Sequence, residues 1–300
     1  MKLGFLTACF RDLPLTEIVP WAAAHGFQAL EVGVWPPTHA RDYASVSIDV
    51  ANLTPQKAAE IKGLFARHNM TISCLTYCDN NLDPDLAKRQ ARLAHLGKVI
   101  DAANLLGVRT VSTFIGRVPQ LTLADNLKEA QKVFAPILEQ AASKDVRIAI
   151  ENCPMPGEQF EGLVGNVAYS PAIWDELFSL LPNDNLGLNF DPSHLVWLGV
   201  DYLDAAQEYV DRIFHVHAKD TEVQDGDLAY RGIGTLKGWW RYRMPGWGEI
   251  DWQQLISVLI ESGYDDVLSI EHEDPIWEGS EEKVKGGLIL GQRYLSQFLL

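Results

Sequence analysis

Four residues able to grip a cation stand at the ends of four short apolar runs: Glu151 in RIAIE, Asp191 in LGLNFD, His217 in IFHVH and Glu271 in VLSIE. Three carboxylates and one imidazole brought to a point make a hard, oxygen-rich site for one divalent cation. Such an ion is an electrophile for the carbonyl and hydroxyl oxygens of a small substrate. Carboxylate-rich ligation favours Mn²⁺ or Mg²⁺, and the imidazole leaves Co²⁺ and Zn²⁺ open. Taken singly, a Glu or Asp at the end of an apolar run is ordinarily a solvated loop residue or a helix cap. The joint occurrence, on consecutive runs, is what calls for a shared site.

Further candidates surround these four. His215 shares a strand face with His217, because side chains alternate with period two, and it is expected one layer deeper. Glu273 shares a face with Glu271 but stands further into the loop, and His272 between them should face the helices. His194, in DPSH, either swings over the cation or caps a helix that follows. Lys219 lies on the face of His217 and is a candidate for substrate oxygens. Glu31, at the tip of ALEVG, is a further polar candidate, and Arg117, in FIGR, suits a hydroxyl, carboxylate or phosphate. Tyr77 and Trp35 could wall a sugar face, and Arg243 lies in a Trp/Arg-rich loop.

Placing these residues requires strands. Eight candidate strands alternate with helical patterns: Leu3–Ala8, Ala29–Val34, Thr71–Tyr77, Thr110–Ile115, Arg147–Glu151, Leu186–Asp191, Arg212–His217 and Asp266–Glu271. The intervening helices are expected near Leu15–His25, Pro55–His68 (Thr54 as N-cap), Asp85–Leu106 (closed by Gly107), Ala124–Ser143, Pro171–Leu181, Tyr202–Val210 and Trp252–Ser262, with a last one near Glu281–Phe298. Alternation of this kind implies a parallel sheet. Eight units without a Gly/Ser linker imply a single α/β domain over residues 1–300, a (β/α)₈ TIM barrel, whose active-site residues gather at the C-terminal ends of the strands. An open doubly wound sheet is the alternative, but the first strand runs into Thr7-Ala8-Cys9-Phe10-Arg11, with no glycine fingerprint. One loop, 219–251, is long enough to be a substrate lid or an oligomer contact.

Composition narrows the function. With 25 basic against 40 acidic residues the formal net charge is −15, the wrong sign for a nucleic-acid binder. The four cysteines have no CxxC spacing, which fits reduced thiols in a cytoplasmic protein. No apolar run is long enough to span a membrane. The negative field tolerates cations and neutral polyols; no nucleic acid and no membrane is expected as a partner, and a homo-oligomer is left open.

The stretches IAIENCP, FDPSHL, HVHAKD, PGWGEIDW and SIEHED, with the eight-unit layout, resemble the xylose isomerase-like TIM barrels, in particular their sugar isomerase/epimerase branch: ketose 3-epimerases, inosose isomerases and dehydratases, and the related endonuclease IV. The resemblance covers nearly the whole chain. It implies that Glu151, Asp191, His217 and Glu271 hold the metal. It also implies that Glu151 and Glu271 form the acid/base pair on opposite substrate faces, and that His194 touches substrate or a second metal. The implied activity is a metal-dependent isomerase or epimerase of a sugar or related polyol, acting by proton abstraction alpha to a carbonyl. A dehydratase, lyase or glycoside-cleaving enzyme on a 3-keto sugar would use the same residues. The endonuclease branch fits poorly: Leu75-Thr76-Tyr77 and Thr113-Phe114-Ile115 offer no histidine, and the loop after Asp220 lacks the Asp-x-His of that branch.

Overall fold

A computed structural model of the chain describes residues 1–11, 13–39, 43–155 and 164–299. Eight parallel strands close into a barrel. They are β1 (Lys2–Leu6), β2 (Ala29–Gly33), β3 (Thr71–Thr76), β4 (Thr110–Thr113), β5 (Arg147–Glu151), β6 (Leu186–Phe190), β7 (Ile213–Ala218) and β10 (Val267–Ile270). Each pairs with its sequence neighbour among the eight, and β10 closes on β1 with Lys2 opposite Val267. The strands are apolar nearly throughout, as strands buried on both faces must be, and all five residues of β2 and of β6 are buried.

The helices pack outside. They are α1 (Leu15–Ala24), α2 (Pro55–Arg67), α3 (Leu86–Leu106), α4 (Leu123–Ala142), α5 (Pro171–Leu180), α6 (Pro192–Leu198), α7 (Tyr202–Glu208), α8 (Asp225–Arg231), α9 (Trp252–Glu261) and α10 (Glu281–Leu295). Local chemistry marks their ends. The Thr54 hydroxyl accepts from Lys57 N at 3.2 Å and starts α2. Asp85 starts α3 by accepting from the amides of Ala87 and Lys88. Gly107, at φ 76°, ends α3 in the left-handed region that favours glycine. On α9, Trp252, Leu255, Ile256 and Leu259 recur at helical spacing and form the face buried against the barrel.

Most expected elements are present with ends moved by one to three residues. Two features differ in kind. The segment after β6 is a helix, α6, begun by Asp191 and ended at Gly199. The 219–251 segment is folded: Asp220–Val223 (β8) and Trp240–Arg243 (β9) pair antiparallel, with α8 between them. Sequence patterning was a weak guide here, because each strand is only four residues long and no tight-turn pair joins them.

A polar layer interrupts the apolar barrel interior. Glu31, Ser112, Asn189, His215, His217 and Ser269 are almost wholly buried. Asn189 Nδ2 donates to Ser112 Oγ at 2.9 Å, Ser269 Oγ donates to Glu31 Oε2 at 2.7 Å, and His215 bridges Asn189 Oδ1 and Ser73 Oγ at 3.1 and 3.0 Å. Buried polar groups persist only when paired, and here they pair across the barrel. No helix among the described residues is long and apolar enough to cross a membrane. Cys9, Cys74, Cys78 and Cys153 are free thiols.

Candidate metal centre

Each of the four tips is aimed by its own local structure. Glu151 is the last residue of β5, and its side chain leans into the mouth of the barrel. Asp191 follows β6 and splits its carboxylate between two tasks. Its Oδ1 accepts from Ser193 N at 2.8 Å, capping α6, while Oδ2 is buried 3.0 Å from Lys219 Nζ. Asn152 binds both the Asp191 amide and carbonyl, at 2.7 and 2.8 Å, locking the tip of β6 to that of β5. His217 is the fifth residue of β7, and Glu271 comes immediately after β10.

These side chains converge. One ligand atom from each of Glu151, Asp191, His217 and Glu271 lies within 4.8 Å of all the others, close to the separation of opposite donors around an ion bound at 2.0–2.4 Å. His217 Nδ1 stands 3.0 Å from Glu271 Oε2, 3.7 Å from Glu151 Oε1 and 3.8 Å from Asp191 Oδ2. That Nδ1 is buried without a hydrogen-bond partner. Its other nitrogen, Nε2, lies 3.0 Å from Glu31 Oε2. With the proton on Nε2, held by Glu31, the Nδ1 lone pair faces the three carboxylates. A carboxylate behind a ligating histidine is the usual means of fixing its tautomer. A buried ring nitrogen without a hydrogen-bond partner, set among three carboxylates, fits a divalent cation.

The electrostatics agree. Burial alone would raise the Glu151 carboxyl, but the His194 and His217 rings beside it and the charge of Lys219 hold it well below the usual carboxylate range. Asp191 is likewise depressed, burial being outweighed by Lys219 and His194. Glu271 goes the other way: burial raises it despite the pull of His217 and Lys219. Glu31 is lowered to about 2, its burial outweighed by His217 and His215. Burial disfavours charge on His217, yet Glu271 and Glu31 raise it well above the ordinary histidine value. Binding an ion at Nδ1 would therefore displace a proton.

The surrounding candidates divide. Lys219, 1 % exposed, places Nζ 2.6 Å from Glu271 Oε2, 3.0 Å from Asp191 Oδ2 and 3.1 Å from Glu273 Oε2. His194 lies one turn into α6, with Nε2 3.1 Å from Asp191 Oδ2 and 3.5 Å from Glu151 Oε1. Trp35 lines the small cavity beside Glu151, Lys219 and Glu271. Four others stand elsewhere. Glu31 lies beneath His217 and supports it, rather than facing a substrate. Tyr77 packs edge-on behind Trp35 and against His95. Arg243 pairs with Asp274 and Glu222 and anchors β9. Arg117 is also absent from the lining of that cavity; its guanidinium reaches Val164 O at 3.5 Å. His272 faces the helices, as expected: a Cβ on Gly287 of α10 would come within 2.8 Å of its Nε2.

Tyr242 was not anticipated. From β9 its hydroxyl bonds His194 Nδ1 at 2.8 Å, and its ring lies 4.3 Å from Lys219 Nζ. The alternation in Trp240-Arg241-Tyr242-Arg243 carried the signal, since a hairpin strand would turn Tyr242 away from its arginine neighbours. Cys78 and Cys153 also line the cavity, and Cys78 Sγ donates to Glu151 Oε2 at 3.3 Å.

Comparison with known proteins bears on the fold. The uncharacterized protein YfiH of Bacillus subtilis (strain 168) is 28 % identical over 306 residues, covering 91 % of this chain and 93 % of its own. The inosose dehydratase of Clostridium perfringens is 34 % identical over 119 residues, only 37 % of this chain and 39 % of the enzyme. Among solved structures, the IOLI protein with a bound zinc atom superposes with a TM-score of 0.71 at 19 % identity, over 99 % of this chain and 96 % of that one. The profile of the xylose isomerase-like TIM barrel matches residues 19–290. The chain therefore belongs to the xylose isomerase-like TIM barrel family.

Proposed function

We propose that this protein is a divalent-metal-dependent isomerase or epimerase of a sugar or related polyol, moving a proton on the carbon alpha to a carbonyl. The observation that carries the reading is the convergence of Glu151, Asp191, His217 and Glu271 within 4.8 Å, with His217 Nδ1 buried among the carboxylates without a hydrogen-bond partner. The hard donor set favours Mn²⁺ or Mg²⁺, and the zinc atom in the IOLI structure keeps Zn²⁺ in contention. When bound, such an ion supplies Lewis-acid polarisation of the substrate carbonyl.

The chain's own residues account for the proton transfer. Glu151 and Glu271 face the same point and form an acid/base pair, one taking the carbon-bound proton while the other returns one. The Lys219 ammonium offsets negative charge as it develops on the substrate oxygen. His194, held by Tyr242, presents Nε2–H to a hydroxyl.

A dehydratase is the second reading, favoured by the identity with inosose dehydratase. It needs one change: after the alpha proton leaves, a beta hydroxyl departs as water, protonated by Glu271. One experiment separates the two. The metal-loaded protein is incubated with keto sugars and inosose in heavy water and followed by NMR. Deuterium entering the alpha carbon with all hydroxyls kept supports the isomerase. Loss of water with enone absorbance supports the dehydratase. No exchange with any of them, at saturating Mn²⁺, Mg²⁺, Co²⁺ or Zn²⁺, would overturn both. Glu151→Gln and Glu271→Gln are each expected to lower turnover by about 10²–10⁴-fold; near-normal rates in both would remove the acid/base assignment.

A further inference from the structure

On β9, Trp240 and Tyr242 share a face, because strand side chains alternate. On α6, His194 and Trp197 share a face, being three residues apart on a helix. The two faces meet in register. Trp240 lies flat on Trp197, and the Tyr242 hydroxyl bonds His194 Nδ1 with the two rings edge-on at 87°. These matched contacts fix the strand on the helix at two points, and the indole stack keeps the phenol in place.

The hydroxyl works through His194. With Nδ1 engaged by the phenol, the opposite edge of the ring is turned to the ligand cluster, where Nε2 stands 3.1 Å from Asp191 Oδ2 and 3.5 Å from Glu151 Oε1. The phenol ring works through Lys219. Its face lies 4.3 Å from Nζ, a cation–π contact. On its other sides the ammonium stands 2.6 Å from Glu271 Oε2, 3.0 Å from Asp191 Oδ2 and 3.1 Å from Glu273 Oε2. One side chain thus reaches Glu151 through His194 and Glu271 through Lys219, with a single bridging residue in each direction. Tyr242 itself is absent from the lining of the cavity beside those two carboxylates, so its effect on a reaction there is relayed by His194 and Lys219.

We propose that Tyr242 is a positioning residue for the proton transfer, holding Glu151 through His194 with its hydroxyl and Glu271 through Lys219 with its ring, so that the hairpin sets the geometry of the acid/base pair together with the barrel. This rests on the proposed proton-transfer function and adds to it a residue outside the ring of strands. Proton transfer to carbon is sensitive to where both groups stand, since a misplacement of about 1 Å can cost on the order of 10²-fold in rate. Glu151, Asp191, His217 and Glu271 all remain as donors without the phenol, so its loss should fall on the rate constant and not on ion binding.

The test reads alpha-proton exchange from heavy water by the Mn²⁺-loaded full chain, with D-fructose and inosose as probes. The variants are Tyr242→Phe, Tyr242→Leu, His194→Gln and the double variant Tyr242→Phe/His194→Gln. Phenylalanine keeps the ring over Lys219 and removes only the hydroxyl; it is expected to lower kcat at least about fivefold with KM within about threefold of wild type. Leucine removes the ring as well and is expected to cost at least about a further fivefold; equal rates for the two would strike out the Lys219 half of the assignment. Because the hydroxyl acts through His194, the double variant is expected within about twofold of His194→Gln alone. Losses that multiply would mean that the two residues act separately, and would overturn the assignment. So would a Tyr242→Phe enzyme with unchanged kcat, or one whose Mn²⁺ dissociation constant, read by calorimetry, rises as many-fold as kcat falls. If Tyr242→Leu fails to fold, the conservative variant and its cycle still decide. Each of these results leaves the proton-transfer function standing, whereas exchange of neither probe by the wild type would overturn that function and this assignment with it.

Discussion

At the scale of single residues, the four apolar runs were enough to identify a converging set, because each run ends in a donor and buried strands must deliver their ends to one rim. What patterning could not supply was depth. Glu31 reads as one more carboxylate near a strand tip, yet register puts it opposite Leu6 and Cys74, inside the barrel. There it accepts from His217, Ser269 and Thr76. Inward direction follows from period two, but height within a closed barrel depends on the stagger between strands, which no local pattern encodes. The consequence is measurable. Glu31→Gln leaves the four donors in place and removes the charge behind His217. It should weaken metal affinity by about 10–100-fold, read by calorimetric titration of the chelator-stripped protein. An unchanged dissociation constant would show that Glu31 does not tune the site.

At the scale of elements, the β8–β9 hairpin is the departure from a plain eight-unit barrel. Trp240 stacks on Trp197 of α6 at 4.5 Å between ring centroids and 8° between planes, and Tyr242 reaches His194 on the same helix. The hairpin and α6 thus hold each other, and both reach the ligand cluster. The base of this segment is tied by Asp220, whose carboxylate accepts from Thr221 N, Gly246 N, Ile250 N and Trp252 Nε1 at 2.9–3.1 Å. Gly248 is obligatory beside it, since a Cβ would come within 2.3 Å of Asp220 Oδ1 and 2.4 Å of Thr221 O. Asp220→Ala would strand these four donors, of which those at Gly246, Ile250 and Trp252 lie across the segment. With about 1–3 kcal/mol for each donor left buried and unpaired, and some recovered by water, we expect a loss of at least about 2 kcal/mol in denaturant melts. A loss within about 0.5 kcal/mol would mean that the segment holds without its clamp. The motif HAKD was visible in the sequence, but only as a strand end; the role of its aspartate depends on a glycine turn 26 residues later.

At the scale of the whole molecule, ring closure brings residues from opposite ends of the chain to one centre, so any ion held there would be linked to folding. An ion that binds only the folded chain stabilises it by about 4 kcal/mol when present at ~1,000 times its dissociation constant. Chelation should therefore lower the melting temperature, and Mn²⁺ should restore it; equal melts with and without chelator would argue against a resident ion. The stripped protein also has an acid-side signature. Glu31 is depressed from 4.5 to about 2, so it binds protons less readily folded than unfolded. Its contribution is complete above pH ~4.5 and drains as pH falls toward 2. Comparing wild type with Glu31→Gln isolates that contribution from Glu271 and Asp220, which burial shifts the other way. Between pH 5 and 3 the wild type should lose more stability than the variant; parallel pH curves would refute the assignment. The eight-fold alternation made this architecture readable from composition and period alone, because a closed parallel sheet demands strands that are apolar on both faces.

The divided carboxylate of Asp191 has a consequence for how such a protein could change over generations. One oxygen begins α6 and the other faces the ligand cluster, so the scaffold's start signal and the chemistry's grip reside in a single codon. Serine there would keep the helix start and surrender the charge; alanine would surrender both. A descendant could thus shed the chemistry in one step while keeping its shape. Loss of activity in this lineage is expected to be abrupt, and to leave a barrel that still folds.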